Sequence, residues 1–214
     1  MENVTDRVSN PFDFRPPEKY LPTDGGPVAV PGYGDANADF HVIGDHSGVH
    51  GGDRTGVPFT ETVGSERLQR VLHAVGFLAD EYADEPRADN LFLNYLFFPR
   101  VSNGQPPSED AYWELERYFD SELRAINAHI LLPVGSRAID HVLREYSTLR
   151  HRFPEQLDED AIHATEIRGR GFMVVPVKDP GSWADGDAEA LEKRLTAILN
   201  SDYRQTKGVA TLVG

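Results

Sequence analysis

Ala38-Asp39-Phe40-His41-Val42-Ile43-Gly44, continuing into Asp45-His46-Ser47-Gly48-Val49-His50-Gly51-Gly52, is the stretch from which the fold is read. Its first half alternates and then runs apolar, which predicts a buried strand, and its second half is a Gly-rich loop. A helix is predicted next, over residues 62–76. There Val63, Leu68, Val71, Leu72 and Val75 recur near helical spacing, and Gly76 stops the run.

The pattern repeats downstream. Residues 91–98 (LFLNYLFF) are aromatic and apolar, as expected of a strand covered on both faces, with Asn94 the odd polar residue and Pro99 the stop. Ser108, followed by Glu109 and Asp110, starts a helix to about residue 127, and its aromatic residues, Trp113 among them, recur at helical spacing and are assigned to the core. Residues 129–134 read as a third strand, and Gly135 and Ser136 open a helix through Tyr146. The apolar runs 162–167 and 172–177 read as two more strands, joined by the basic turn Arg168-Gly169-Arg170-Gly171, and residues 187–200 as the last helix. Strands alternating with helices imply an α/β fold, a mostly parallel central sheet sandwiched between helices.

Upstream, Pro11, Pro16, Pro17, Pro22 and Pro27 with Gly25 and Gly26 predict an extended arm over residues 1–27, leaving 28–214 as one domain. A chain of 214 residues that is 39% hydrophobic can bury a sizeable single core. The absence of Cys excludes a disulfide framework, thiolate zinc, a thiol nucleophile and a Cys-ligated iron–sulfur cluster. No apolar run approaches the roughly 20 residues needed to cross a bilayer, so the expectation is a cytoplasmic protein with no membrane partner. Only four of the 21 basic residues are Lys (Lys19, Lys178, Lys193, Lys207), and the net charge is −14. That surface suits a high-salt, halophilic cytoplasm, where a Debye length of roughly 3 Å screens the repulsion. The same screening weakens the objection that an acidic protein does not bind nucleic acid.

In open parallel sheets the ligand crevice lies at the carboxyl ends of the strands. Three loops meet that rule: residues 44–59, the end of the Asn94 strand, and Lys178-Asp179-Pro180-Gly181-Ser182-Trp183. The glycines of the first allow close backbone approach to a ligand, and Asp45 is its candidate base.

The ordered segments resemble the uracil-DNA glycosylase superfamily, especially its thermostable bacterial and archaeal branch. The stretch from Val28 to Asp45 is similar to that family's opening; Gly56-Val57-Pro58-Phe59 to its Gly-x-Pro-Phe segment; and Leu93-Asn94, with Pro106-Pro107 downstream, to its Thr-Asn strand. Ile130-Leu131-Leu132-Pro133-Val134-Gly135-Ser136-Arg137-Ala138 is similar to its later strand and Leu-Gly-x-x-Ala turn. The resemblance covers roughly residues 28–180 and implies a three-layer α/β/α sandwich that flips a deaminated base out of DNA and hydrolyses its N-glycosidic bond.

By resemblance, Gly44 and Phe59 belong to the substrate site, with Phe59 stacking on the base, and the Asn94 amide reads the uracil edge; the bland alternatives are core filling and a satisfied buried amide. Asp45 orients the attacking water or stabilises charge developing on the sugar. His46, in place of a small residue, is either a second catalytic group or a turn contact. The chain departs from the family in two places. The iron–sulfur Cys residues are missing, so no cofactor is expected. The late His-Pro-Ser loop is here Asp179-Pro180-Gly181-Ser182, whose Asp repels a base anion and whose sequence suits an ordinary turn. His163, His46 and His50 are the candidates to replace the lost His, and Trp183 either inserts into the duplex or packs its loop onto the body. The leading expectation is a monomeric glycosylase acting on uracil or a related deaminated base in DNA. The rivals are a relative that binds nucleic acid or nucleotide without turnover, and a hydrolase of free nucleosides or nucleotides.

Overall fold

The computed structural model describes residues 3–4, 14–22, 25–101, 105–169 and 171–203. Its centre is strand β3 (Phe40–His46), which follows β1 (Asn3–Val4) and β2 (Tyr33–Asp35). A short turn α1 (Ser47–His50), helix α2 (Val63–Ala74), strand β4 (Leu91–Phe97), helix α3 (Glu109–Ile126) and strand β5 (Ile130–Pro133) come next. The chain then forms α4 (Gly135–His141), the turn α5 (Glu159–Ile162), the hairpin β6 (Ile167–Arg168) and β7 (Met173–Val174), and α6 (Asp187–Leu199).

The strands form one sheet in the order β1-β2-β4-β3-β5-β7-β6. The four central strands are parallel, and β2, β1 and β6 join antiparallel at the two edges. Every residue of β4 is buried, as are all but Asp45 in β3, because helices cover both faces. On one face, Phe40, Val42, Leu93, Ile130 and Leu132 pack with Leu68 and Leu72 of α2 and Leu191 and Leu195 of α6. On the other, Ile43, Leu96 and Leu131 pack with Phe119 and Leu123 of α3 and Ile139 of α4. This is the three-layer α/β/α sandwich expected. No described helix is long and apolar enough to cross a membrane.

Helix ends follow local chemistry. Thr62 caps α2 by accepting a hydrogen bond from the Ser65 N–H at 3.0 Å, and Ser108 caps α3 by accepting from Ala111 at 3.3 Å. Asn127 ends α3 in the left-handed conformation, φ 54°.

Three expectations need correction. Residues 162–167 are not a strand: Asp158 accepts from the Ala161 N–H and sets up the α5 turn, so only Ile167–Arg168 pairs. The helix opened by Gly135 does not run regularly to Tyr146; it gives way to a π turn over Val142–Tyr146. Trp113 is not core. Ala111, Leu115, Phe119, Glu122 and Ile126 form the buried stripe of α3, and a residue two places off that stripe points away, so Trp113 is 72% exposed. The expected arm falls partly on residues outside those described; within the rest of it, β1 pairs with β2, and the Phe14 and Tyr20 rings pack on Tyr118 and Phe97. Arg170 of the basic turn also lies outside the described residues, while Gly169 closes the β6–β7 hairpin onto Phe172.

Replacing Thr62 with Ala leaves the Ser65 N–H without its cap and is expected to lower stability by about 1 kcal/mol. Chemical denaturation in molar salt, compared with the wild type, reads that loss.

Candidate active site

Side chains alternate along β3, so its last residues are dealt to opposite faces at the carboxyl edge of the sheet. Asp45 falls on the α3–α4 face, 18% exposed at the side chain. Its Oδ1 accepts a short hydrogen bond from the Tyr112 hydroxyl, from the first turns of α3. Its Oδ2 lies 3.7 Å from Arg137 Nε and 4.0 Å from His46 Nε2, beyond hydrogen-bonding distance of either.

Arg137, on α4, is held on two sides. It donates through Nη1 and Nη2 to Glu109 at 3.2 and 2.6 Å, and its guanidinium sits 4.3 Å over the Tyr112 ring. Burial, reinforced by the Asp45 charge, raises the Tyr112 phenol and keeps it a neutral donor. The hydrogen bond from Arg137 holds Glu109 below the usual carboxylate range.

These groups line a cleft of about 630 Å³ between α3 and α4. Asp45 and Leu96 form its inner end; Tyr112, Trp113 and Glu116 come from α3, and Ser136, Arg137 and Asp140 from α4. His141, Arg144, Glu145, Glu155 and Leu157 complete the wall.

Asn94 lies on the same face as Asp45, paired in register with Ile43 and two residues before Leu96, but it is 1% exposed and does not line the cleft. Its Nδ2 donates to Glu122 of α3 at 2.5 Å. Burial pushes Glu122 up to about 7, opposed by the Asn94 amide and the Gly32 N–H. A Cβ on Gly32 would stand 2.2 Å from the Glu122 carboxylate, so only glycine admits it. His41, below Ile43 on the same face, is fully buried, and desolvation lowers it to about 4 against a smaller opposing contact with Asn94.

Phe59 lies on the other face. It is 1% exposed, its ring centroid 5.2 Å from both Tyr95 and His50. Its N–H donates to the Tyr95 hydroxyl at 2.7 Å, which in turn donates to the Gly51 carbonyl at 3.0 Å. A Cβ on Gly44 would come within 2.8 Å of all three rings, so Gly44 is the floor on which they close. Asp45, Phe59 and Asn94 therefore do not surround one cavity.

His46 and His50 are both about 5% exposed or less, and burial lowers both, His50 to about 4, against the charges of Asp45 and Asp179 respectively. Both are neutral imidazoles at neutral pH. His163 is committed elsewhere: Nδ1 accepts from the Lys178 N–H and Nε2 donates to the Asp187 carbonyl.

The 179–183 loop is a capped turn. Asp179 accepts from the Gly181 N–H, and its carbonyl accepts from Ser182 N and Oγ. Pro180 is buried, and Arg67 of α2 donates to the Pro180 and Trp183 carbonyls at 3.1 and 3.4 Å. Trp183 is 9% exposed, and its indole N–H donates to the Lys178 carbonyl. Arg150 is likewise used internally, paired with Asp140 and donating to the Phe153, Pro154 and Glu155 carbonyls.

Sequence reasoning missed Tyr112, Trp113, Arg137 and Glu122. Their helix periodicity was visible, but their relation to Asp45 and Asn94 follows from helix docking alone. Among the described residues no cluster of three or more His, Asp or Glu is arranged to hold a metal ion.

Comparison with known families matches residues 31–199 to the uracil DNA glycosylase superfamily. The chain is also similar to a type-5 uracil-DNA glycosylase of Pyrobaculum aerophilum, 28% identical over 120 residues. That match covers 54% of this chain and 52% of the relative, so it spans about half the length of each.

A carboxyl whose folded pKa is raised favours the folded state below its unfolded pKa, and that contribution is lost as pH rises through the folded value. Glu122 therefore weakens the fold between about pH 4.5 and about 7. In Glu122→Gln that fall in stability is expected to be absent, and the wild-type-minus-variant difference should change by on the order of 3 kcal/mol across the window. Urea denaturation of both proteins at successive pH values checks it. His41 and His50 act in the opposite sense, losing stability as pH falls from 6.5 to about 4, and cancel in the difference.

Proposed function

The chain belongs to the uracil DNA glycosylase superfamily, and from that membership we propose that it removes an altered base from DNA by hydrolysing the N-glycosidic bond in the Asp45 cleft. The observation that carries the reading is the Asp45 carboxylate itself. It stands at the carboxyl end of the central parallel strand, with one oxygen anchored by Tyr112 and the other beyond hydrogen-bonding distance of Arg137 and His46. Such a group orients a water toward C1′ of the deoxyribose and takes its proton as the base departs, while its charge stabilises the cationic sugar. Partial burial supports this role, since a charge acts more strongly where water is scarce.

Uracil and other deaminated bases are the reference substrates in this reading, and DNA is the partner. The acidic surface is tolerated because molar salt screens phosphate repulsion within a few ångströms. Tyr112 donates to Asp45, and His46, neutral beside Oδ2, is a second group able to accept a proton. The role of base reader for Asn94 requires that its amide be released from Glu122, and that of stacking residue for Phe59 requires that its ring leave the Tyr95–His50 cluster. That closure favours a second reading, binding of DNA without turnover.

Purified protein in molar salt is expected to convert oligonucleotides containing uracil, hypoxanthine or xanthine to abasic product. Asp45→Asn should lower the rate by about 10²–10³-fold and Tyr112→Phe by about 10-fold. Retention of the oligonucleotide with no abasic product selects the second reading; neither binding nor release rejects both.

A further inference from the structure

Trp113 has no role in the core. It stands 72% exposed on a helix whose neighbours Ala111 and Leu115 are buried, and it sits on the wall of the Asp45 cleft. A large aromatic surface left in water beside a cleft is ready to stack on a planar ligand. Beside it, the outward face of Tyr112 is already covered by Arg137, so Trp113 is the free ring.

The charge of the cleft restricts what that ligand is. Six carboxylates line it, from Asp45, Glu109, Glu116, Asp140, Glu145 and Glu155, against the guanidinium groups of Arg137 and Arg144. Each is paired with one of those carboxylates, Arg137 with Glu109 and Arg144 with Asp140 at 2.8 Å, so the negative excess rests on the other four. A wall of one sign raises the local concentration of ligands of the other sign. A cation over the face of Trp is further favoured by the ring quadrupole. The volume of about 630 Å³ accommodates one nucleoside.

We propose that the Asp45 cleft binds a positively charged nucleobase, one alkylated on a ring nitrogen, stacked on Trp113 and facing the carboxylates. The proposal rests on the cleft being the reaction site and extends its ligands beyond deaminated bases. The chemistry of release agrees with the charge. As the C1′–N bond breaks, its electron pair passes to the alkylated ring and cancels the positive charge, so the base leaves neutral. Water oxygen bonds to C1′, and its proton goes to Asp45. A uracil leaving by the same route departs as an anion, which the negative excess of the cleft disfavours.

The two tryptophans differ enough to make the test direct: Trp183 is buried, so quenching on ligand addition reports Trp113. In titrations at pH 6, 7-methylguanosine should quench saturably and bind on the order of 10-fold more tightly than guanosine or uridine, a preference that narrows as salt rises. Calorimetry of Trp113→Ala, a substitution at an exposed site, should show affinity for 7-methylguanosine lowered by about 10-fold, with the folded fraction unchanged. Equal affinity for methylated and unmethylated nucleosides, or an unaltered affinity in Trp113→Ala, overturns the proposal. A parallel assay on oligonucleotides containing 7-methylguanine or uracil keeps the two claims apart. Preferential nucleoside binding with neither of these bases, nor hypoxanthine or xanthine, released sinks the glycosylase reading and upholds this one. Uracil release without preference for the methylated nucleoside does the reverse.

Discussion

Strand β3 is covered by helices on both sides, and the alternation of its side chains governs everything at its carboxyl end. Asp45 is sent toward α3 and α4, where Tyr112 and Arg137 meet it; Gly44, with no side chain, lets Phe59, His50 and Tyr95 close over the opposite face. A one-residue slip of the strand would exchange these faces, burying the carboxylate among rings and leaving Gly44 or His46 in its place at the cleft. The register with β4 and β5 on either side prevents that slip.

The same covering produces the buried polar row beneath the cleft. His41, Asn94 and Glu122 lie between β3, β4 and α3, shielded from water, and the Asn94 amide and Gly32 N–H compensate the Glu122 carboxyl only in part. A buried carboxyl in that position is held close to neutrality, because desolvation disfavours its charged form more than two hydrogen bonds favour it. The row ties the N-terminal part of the domain, at Gly32, to α3 and to the strand that precedes the cleft. It also occupies the amide that the family resemblance assigns to reading a base.

Around the cleft the charges are arranged in pairs that leave the sign negative. Arg137 joins the first turn of α3 to the start of α4 by serving Glu109, Tyr112 and, at longer range, Asp45 together. Because it is spent on these partners, the guanidinium acts as a clamp holding the cleft's walls rather than as a free anion receptor. The loop over residues 179–183 is spent in the same way, with Asp179 capping a turn, Arg67 gripping its carbonyls and Trp183 packed inward. Recognition then falls to Trp113 and the unneutralised carboxylates.

The central strands β3, β4 and β5, the helices α2, α3 and α6, the start of α3 at Ser108, and the family resemblance across residues 28–180 were legible in the chain itself, since each depends on residues a few places apart. Asp45 was legible as a candidate for the same reason: it follows a buried strand and opens a Gly-rich loop. Tertiary structure alone decided that Tyr112 holds Asp45 across 67 residues, that Glu122 holds Asn94 across 28, and that Trp113 faces water. Periodicity places a side chain on one side of its own element, but which partner waits there depends on how α3 docks on the sheet. That docking is set by the burial of Leu115, Phe119 and Leu123 together, an energy shared among residues distant in the chain and carried by none of them singly.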